Sequence, residues 1–142
     1  MSEEDWAAAR AAHARGDYAA ELRIYRRLAA DGDLRAQDNI GVLYEHGLGV
    51  TKSHAEAVKW YRMAAEQGEP NAQNNLGVMY EAGHGVPADY AEAVSWYQRA
   101  AAQELAAIAK AKTDADAARA NASKELDAAS RAKNEAETAR LA

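Results

Sequence analysis

The sequence predicts an all-α protein, an α-solenoid of helix-turn-helix repeats with a period of 36 residues that is followed by a long alanine-rich helix. Residues 36–67 recur at residues 72–103, and Gly41, Tyr44 and Trp60 are among the residues repeated 36 positions later. A unit this short cannot bury its own apolar face, so it has to stack on copies of itself. The chain from residue 91 to residue 142 contains no glycine or proline, which favours one continuous helix there.

Pairs of glycines predict the turn between the two helices of each repeat. Gly47 and Gly49 in the first copy, and Gly83 and Gly85 in the second, can adopt the positive φ values that end one helix and direct the next. No predicted strand precedes them and no lysine follows in register, so they do not match a phosphate-binding loop. We therefore interpret these glycines as turns.

Capping signals predict where the second helix of each repeat begins. Ser53 and Asp89 occupy the same repeat position, and Glu56 and Glu92 follow them by three residues, as in a capping box. Asp17 lies one period earlier and is expected to cap a helix in the same way.

The repeated apolar residues are mostly small or aromatic and follow helical spacing. Ala57, Tyr61 and Ala65 lie on one stripe, where small side chains let helices approach and rings fill the remaining space. Trp60 and Trp96 hold the same repeat position, and both are predicted to be buried.

A family resemblance rests on these positions. Two copies carry the pattern Ala-x4-Gly-x2-Tyr-x2-Gly-x-Gly-Val and then Ala-x2-Trp-Tyr-x2-Ala-Ala, which begins at Ala36 and at Ala72. The pattern resembles the Sel-one-like repeats, a branch of the tetratricopeptide-like solenoids common in bacteria. The resemblance implies full repeats at residues 36–71 and 72–103, and a degenerate N-terminal capping repeat at residues 1–35, where a short Arg15-Gly16 turn replaces the glycine pair.

Residues 104–142 depart from the repeat and are predicted to form a long helix. Alanines spaced alternately by three and four residues form one seam, which is typical of a coiled coil through which the chain could self-associate. A capping helix that covers the last repeat with Leu105, Ile108 and Leu126 is a second interpretation. A solvated helix supported by ion pairs such as Lys110 with Asp114 is a third. A fourth interpretation is a segment of different origin that is joined to the repeats through a continuous helix. The sequence does not separate these interpretations.

Composition and charge argue against several classes of functional site and partner. The 142 residues include no cysteine, which removes disulfides, thiol nucleophiles and cysteine-rich zinc sites. Residues 1–103 carry the whole formal charge of −5, which makes nucleic acid an unexpected partner. No apolar run is long enough for a membrane span and the N-terminus is acidic, so a cytoplasmic protein is expected, with an exported mature form as the alternative.

No residues suggest catalysis, a metal or a cofactor. The four histidines, His13, His46, His54 and His84, do not recur at the repeat period or at the spacing of a helical metal pair, so we interpret them as exposed residues of loops and helix ends. The carboxylates lie in polar surroundings that would not tune them for acid or base chemistry. An enzyme is therefore not expected.

The resemblance implies instead that the first helix of each repeat lines a concave groove that binds a ligand. The groove positions are Asp38, Asn39, Val42, Glu45, His46, Asn74, Asn75, Val78 and Glu81. Carboxylates here favour a neutral to basic protein or peptide, and asparagine amides can pair with a peptide backbone. We therefore predict a non-catalytic interaction module or adaptor, with a structural or oligomerisation role of the C-terminal helix as the alternative.

Overall fold

The protein is all-α, as the repeat pattern predicts. The computed structural model describes residues 2–142, which are 83% helical and contain no strand. The six helices are α1 (Ser2–Ala14), α2 (Tyr18–Ala30), α3 (Leu34–His46), α4 (His54–Glu66), α5 (Pro70–Ala82) and α6 (Tyr90–Leu141). The chain divides into two compact units, one ending at Gln103 and the other beginning at Glu104.

The turns within the full repeats form as their glycines predict. Gly47 and Gly83 end α3 and α5 with φ values of 67° and 71°, in the left-handed region. Gly49 also has a positive φ, and a side chain there would meet the backbone of Tyr18 at 2.7 Å. The glycine therefore serves both the turn and the close approach of α2.

The predicted capping residues also take their places. The Ser53 hydroxyl accepts a hydrogen bond from the Glu56 amide at 3.1 Å, and the Asp89 carboxylate accepts one from the Glu92 amide at 3.1 Å. Asp17 caps α2 by accepting from the Ala20 amide. Each of these bonds satisfies an amide that has no partner inside its helix.

Two apolar clusters form the core. One joins α1, α2 and α3 around Leu22 and Ile40, and the other joins α4 and α5 around Tyr61 and Leu76 and includes Trp96 at the start of α6. Small residues at the contacts let the helices pack closely.

The expectation that both tryptophans are buried is wrong for Trp60. Trp96 is buried, whereas Trp60 is only partly buried at the edge of the first cluster. The Arg99 guanidinium lies 4.3 Å from the centre of the Trp96 ring and covers it, while Met63 occupies the equivalent position near Trp60. The cover over the ring therefore differs between the two copies.

Arginine and tyrosine link consecutive helical pairs. Arg26 of α2 donates to the Tyr44 hydroxyl of α3 at 3.2 Å, and Arg62 of α4 donates to the Tyr80 hydroxyl of α5 at 2.6 Å. Both partners recur at the 36-residue period. At the next position of the arginine the sequence has Gln98.

The second unit is helical throughout, apart from the last residue, and its side chains are exposed. Lys110 and Asp114 form the predicted ion pair at 2.8 Å. Leu105, Ile108 and Leu126 are large apolar residues that stand exposed on this helix.

Candidate functional site

All nine predicted groove residues lie on α3 or α5, the first helices of the two full repeats. Eight of them form four pairs related by the 36-residue period, and His46 has no counterpart in the set. One residue, Asp38, is buried. The half-buried residues are Asn39, Val42, Glu45, Asn74 and Asn75, and the exposed ones are His46, Val78 and Glu81.

Asp38 joins α3 to α5 and is only 6% exposed. Asn75 of α5 donates an amide hydrogen to the Asp38 carboxylate at 2.9 Å. Asp38 is therefore buried at the contact between α3 and α5, whereas the sequence placed it outside the repeat core. Its contact with a ligand stays a prediction. Asn74 occupies the same position one period later and stays half-buried.

Burial changes the acidity of Asp38. Loss of hydration raises the pKa of this carboxyl from 3.8 to about 6. The hydrogen bond from Asn75 opposes the rise, and the carboxylates of Glu69 and Glu45 add to it. A buried carboxylate with a raised pKa is costly to keep, and such groups are common at functional sites.

Glu45 and Glu81 each accept a hydrogen bond from a repeat tyrosine. The distances are 2.6 Å from the Tyr61 hydroxyl to Glu45 and 2.8 Å from the Tyr97 hydroxyl to Glu81. Burial and the Glu45 carboxylate raise the pKa of Tyr61 well above its usual value. Partial burial and Glu81 raise the pKa of Tyr97 to about 12. The tyrosines thus fix the orientation of the carboxylates of these two predicted groove residues.

The repeat glycine makes room for the same tyrosine. A methyl group on Gly41 would lie 2.5 Å from the Tyr61 ring. Such a contact is too short for carbon atoms, so only glycine allows the ring to lie across α3 and bring its hydroxyl to Glu45.

A cavity of about 100 Å³ lies where α3 meets the first helical pair. Its lining residues are His13, Glu21, Tyr25, Asn39, Val42, Leu43 and Leu48. Asn39 and Val42 are predicted groove residues, so the structure brings these two to the same opening.

His13 and Glu21 form a polar pair at this cavity and are residues that the sequence analysis missed. The Glu21 side chain is almost fully buried, and its Oε2 lies 2.8 Å from His13 Nδ1. Burial raises the pKa of neighbouring Tyr25 to about 12, and the Glu21 charge adds to the shift. The short turn at Arg15–Asp17, which folds α2 back along α1, was the signal that could have indicated the pair.

A second cavity, of about 340 Å³, lies near the turn between α4 and α5. Its lining residues are Ala65, Glu66, Gly68, Gln73, Arg99, Ala102 and Gln103. Gln73 donates to the carbonyl oxygen of Ala65 at 3.0 Å, and Gln103 donates to that of Gly68 at 2.6 Å. None of the predicted groove residues lines this cavity.

The family model of the Sel1 repeat matches residues 34–69 and 70–105, just over half of the chain. The chain belongs to the Sel1 repeat family. Sel1 repeats are protein-protein interaction modules and are generally non-catalytic. A search of curated proteins found no match for the chain.

Solved structures of bacterial proteins share the Sel1 fold. A protective antigen of uropathogenic Escherichia coli with an SLR fold is 45% identical over 61% of this chain and 18% of the antigen, with a TM-score of 0.58. A Sel1 repeat protein from Oxalobacter formigenes is 40% identical over 60% of this chain and 65% of that protein, also with a TM-score of 0.58. The matched part is thus less than two thirds of either protein.

A third similar structure is cysteine rich protein B of Helicobacter pylori. It is 22% identical over 57% of this chain and 61% of that protein, with a TM-score of 0.55. At this identity the likeness shows the fold alone.

In the described part of this Sel1 protein, the histidine and acidic side chains are not grouped as a metal site would require. Across residues 2–142, the structure gathers no group of three or more histidine, cysteine, aspartate or glutamate side chains that could hold a metal ion. His54 and His84 stack with ring centres 4.5 Å apart, at the start of α4 and in the turn before α6.

Each of the six described helices is too short or too polar to cross a bilayer.

Proposed function

We propose that this Sel1 protein is an interaction module that binds a neutral to basic peptide or helix along the face formed by α1, α3 and α5, and in a cavity of that face which α2 also lines. The observation that carries the proposal is the cavity where Asn39 and Val42 of α3 meet Tyr25 and the His13–Glu21 pair. It combines an amide, an apolar side chain and a buried carboxylate at one opening. Such a mixture suits a peptide backbone and one side chain of a partner.

The charges of this face support a basic partner. Glu45 and Glu81 are held in place by Tyr61 and Tyr97, so their carboxylates are already oriented before a partner binds. Preorganised charges lose less conformational entropy on binding. The first unit also carries the whole net charge of the chain, which would accelerate encounter with a cation.

The apolar part of the face comes from the repeated valine. Val42 is half-buried against the core, whereas Val78, its counterpart on α5, is 47% exposed. An exposed valine among polar groups provides a contact for an apolar side chain of the bound segment.

Selection from a random peptide display library would test this proposal. We expect the enriched peptides to carry neutral or positive net charge and to bind more weakly as salt rises. Asn39→Ala and Val78→Ser should each weaken a selected peptide about tenfold, which corresponds to about 1.4 kcal/mol. Fluorescence anisotropy with a labelled peptide measures this change.

Leu126→Ser is the matched control, because Leu126 is an exposed apolar residue of the second unit. It should leave peptide affinity unchanged. Selected peptides that bind the Asn39 and Val78 variants as tightly as the parent would place the binding surface elsewhere.

A further inference from the structure

The last helical pair exposes a face that is covered in the preceding pair. Val58, Tyr61 and Ala65 of α4 are buried in the cluster that α4 forms with α5. Their counterparts 36 positions later on α6 are Val94, Tyr97 and Ala101. Val58 is 5% exposed, but Val94 is 49% exposed. We call Val94, Tyr97 and Ala101 of α6 the end face. Solenoids normally finish in a polar surface, so an apolar end face indicates a contact.

The helices that cover such faces inside the chain share a pattern. A small residue is followed at four and seven positions by large aliphatic residues, and all three are buried. The sets are Ala36, Ile40 and Leu43 on α3, which pack on α2, and Ala72, Leu76 and Met79 on α5, which pack on α4.

The same pattern occurs once more on α6 itself. Ala101 is followed by Leu105 at four positions and by Ile108 at seven. Leu105 is 68% exposed and Ile108 is 66% exposed. The aliphatic residues at the same places in the pattern on α3 and α5 are core residues. The chain thus carries both the uncovered face and the kind of helix that covers it.

The pairing of α4 with α5 shows how the two would fit. The three-residue turn between these helices makes them antiparallel, so residues at similar distances from the turn lie side by side. The resulting pairs are Ala65 with Ala72, Tyr61 with Leu76, and Val58 with Met79.

Transfer of this pairing to two antiparallel copies of α6 gives a self-consistent result. The pairs between the copies become Ala101 with Ala101, Tyr97 with Leu105, and Val94 with Ile108. Each unlike pair then occurs twice, once in each direction, as a two-fold axis at Ala101 requires. The small alanine at the axis allows the helices to approach closely.

We propose that the chain forms a two-fold homodimer in which residues 101–108 of each copy cover the end face of the other. This contact is distinct from the peptide-binding face, because it uses α6 in place of α1, α3 and α5. It also differs from association through the alanine seam, which continues beyond Ile108 along the second unit.

Cysteine cross-linking tests the position of the axis. The chain has no cysteine, so each variant contains a single thiol. Ala101→Cys should give a disulfide-linked dimer under mild oxidation, because two residues at the axis meet the short Cα separation that a disulfide needs. Ala122→Cys is the control on the alanine seam. Preferential cross-linking at position 122 would assign association to the seam and overturn the proposal.

The oligomeric state of full-length variants provides the second test. Sedimentation of the parent at about 100 µM should show a dimer, since mass action favours association at high concentration. Leu105→Glu should raise the dissociation constant at least tenfold. Leu126→Glu alters an equally exposed leucine outside the contact and should leave it unchanged. A monomeric parent, or equal dissociation by both variants, would refute the proposal.

Two further measurements separate the explanations of a negative result. Circular dichroism should show unchanged helix content for Leu105→Glu, because Leu105 is exposed in the monomer. Affinity for a display-selected peptide should also be unchanged, since dimerisation and peptide binding use different faces.

Discussion

Asn75 binds the Asp38 carboxylate across the boundary between the two full repeats, at 2.9 Å, and so places an ionisable group where the repeats stack. The pKa of Asp38 is about 6 in the folded protein, which exceeds its ordinary value of 3.8. Between these pH values the folded state keeps a proton that the unfolded state has lost. The contribution of Asp38 to stability therefore falls as the pH rises from about 4 to about 6, and stays low above that range.

Asp38→Asn should remove this pH dependence. The variant keeps a polar group opposite Asn75 but no longer buries a charge, so we expect it to be more stable than the parent at pH 7 by roughly 1 to 3 kcal/mol. The difference should shrink toward pH 4. Denaturant titrations of both proteins between pH 4 and pH 7 measure it. A constant difference across that range would show that Asp38 titrates normally.

Gly41→Ala should destabilise the protein more than Gly77→Ala. Both new methyl groups would meet a tyrosine ring, at 2.5 Å from Tyr61 and at 2.6 Å from Tyr97. Tyr61 is fully buried and cannot move aside, whereas Tyr97 is partly exposed. We expect a loss of about 1 to 3 kcal/mol at Gly41 and less at Gly77, where the better helix propensity of alanine offsets part of the strain. Thermal melts of both variants provide the comparison, and equal losses would contradict it.

The two tryptophans should differ in the same way. Trp96→Ala removes a buried ring and should lower the free energy of unfolding by about 3 to 5 kcal/mol. A loss of this size is a large part of the stability of a small domain. Trp60→Ala should cost clearly less, because its ring is only partly buried. Tm values from circular dichroism decide the order. A larger loss for Trp60 would mean that its exposed edge is covered in solution.

Charge reversal should affect stability differently at Glu45 and at Glu81, two of the predicted groove residues. Glu45→Lys leaves the hydroxyl of fully buried Tyr61 without its acceptor and should cost about 1 to 3 kcal/mol. Glu81→Lys affects the partly exposed Tyr97, so water can replace the lost bond at little cost. Glu81→Lys is therefore the better variant for measuring loss of a basic peptide. A similar stability loss for both variants would show that the Tyr61 bond contributes little.

The sequence indicated the architecture because its signals are local. A capping hydroxyl such as that of Ser53 and a turn glycine such as Gly47 act within a few residues, and the 36-residue period then repeats them. The membership of the core also followed from periodicity. Trp60 was the exception, because the cover over the ring depends on a non-repeated residue at position 63.

The candidate site was less accessible to sequence reasoning, because it depends on which helix lies over which. Asp38 and Asn74 hold the same repeat position, but only Asp38 has a further first helix above it. The His13–Glu21 pair lies on α1 and α2, before the two matched repeats, so no second copy marks its importance. Position in the stack, which periodicity does not encode, decides these roles.

The arginine-tyrosine bonds between helical pairs determine where this array can be lengthened. The repeat at residues 36–71 contains Tyr44, which accepts a hydrogen bond from the preceding helical pair. It also contains Arg62, which donates one to the following pair. A duplicate of these 36 residues inserted between residues 71 and 72 would therefore bring its own connection at both ends. A helical pair added after residue 103 would meet Gln98 in place of the arginine. The molecule is thus modular at its centre, and internal duplication is the route by which a longer solenoid could arise from it.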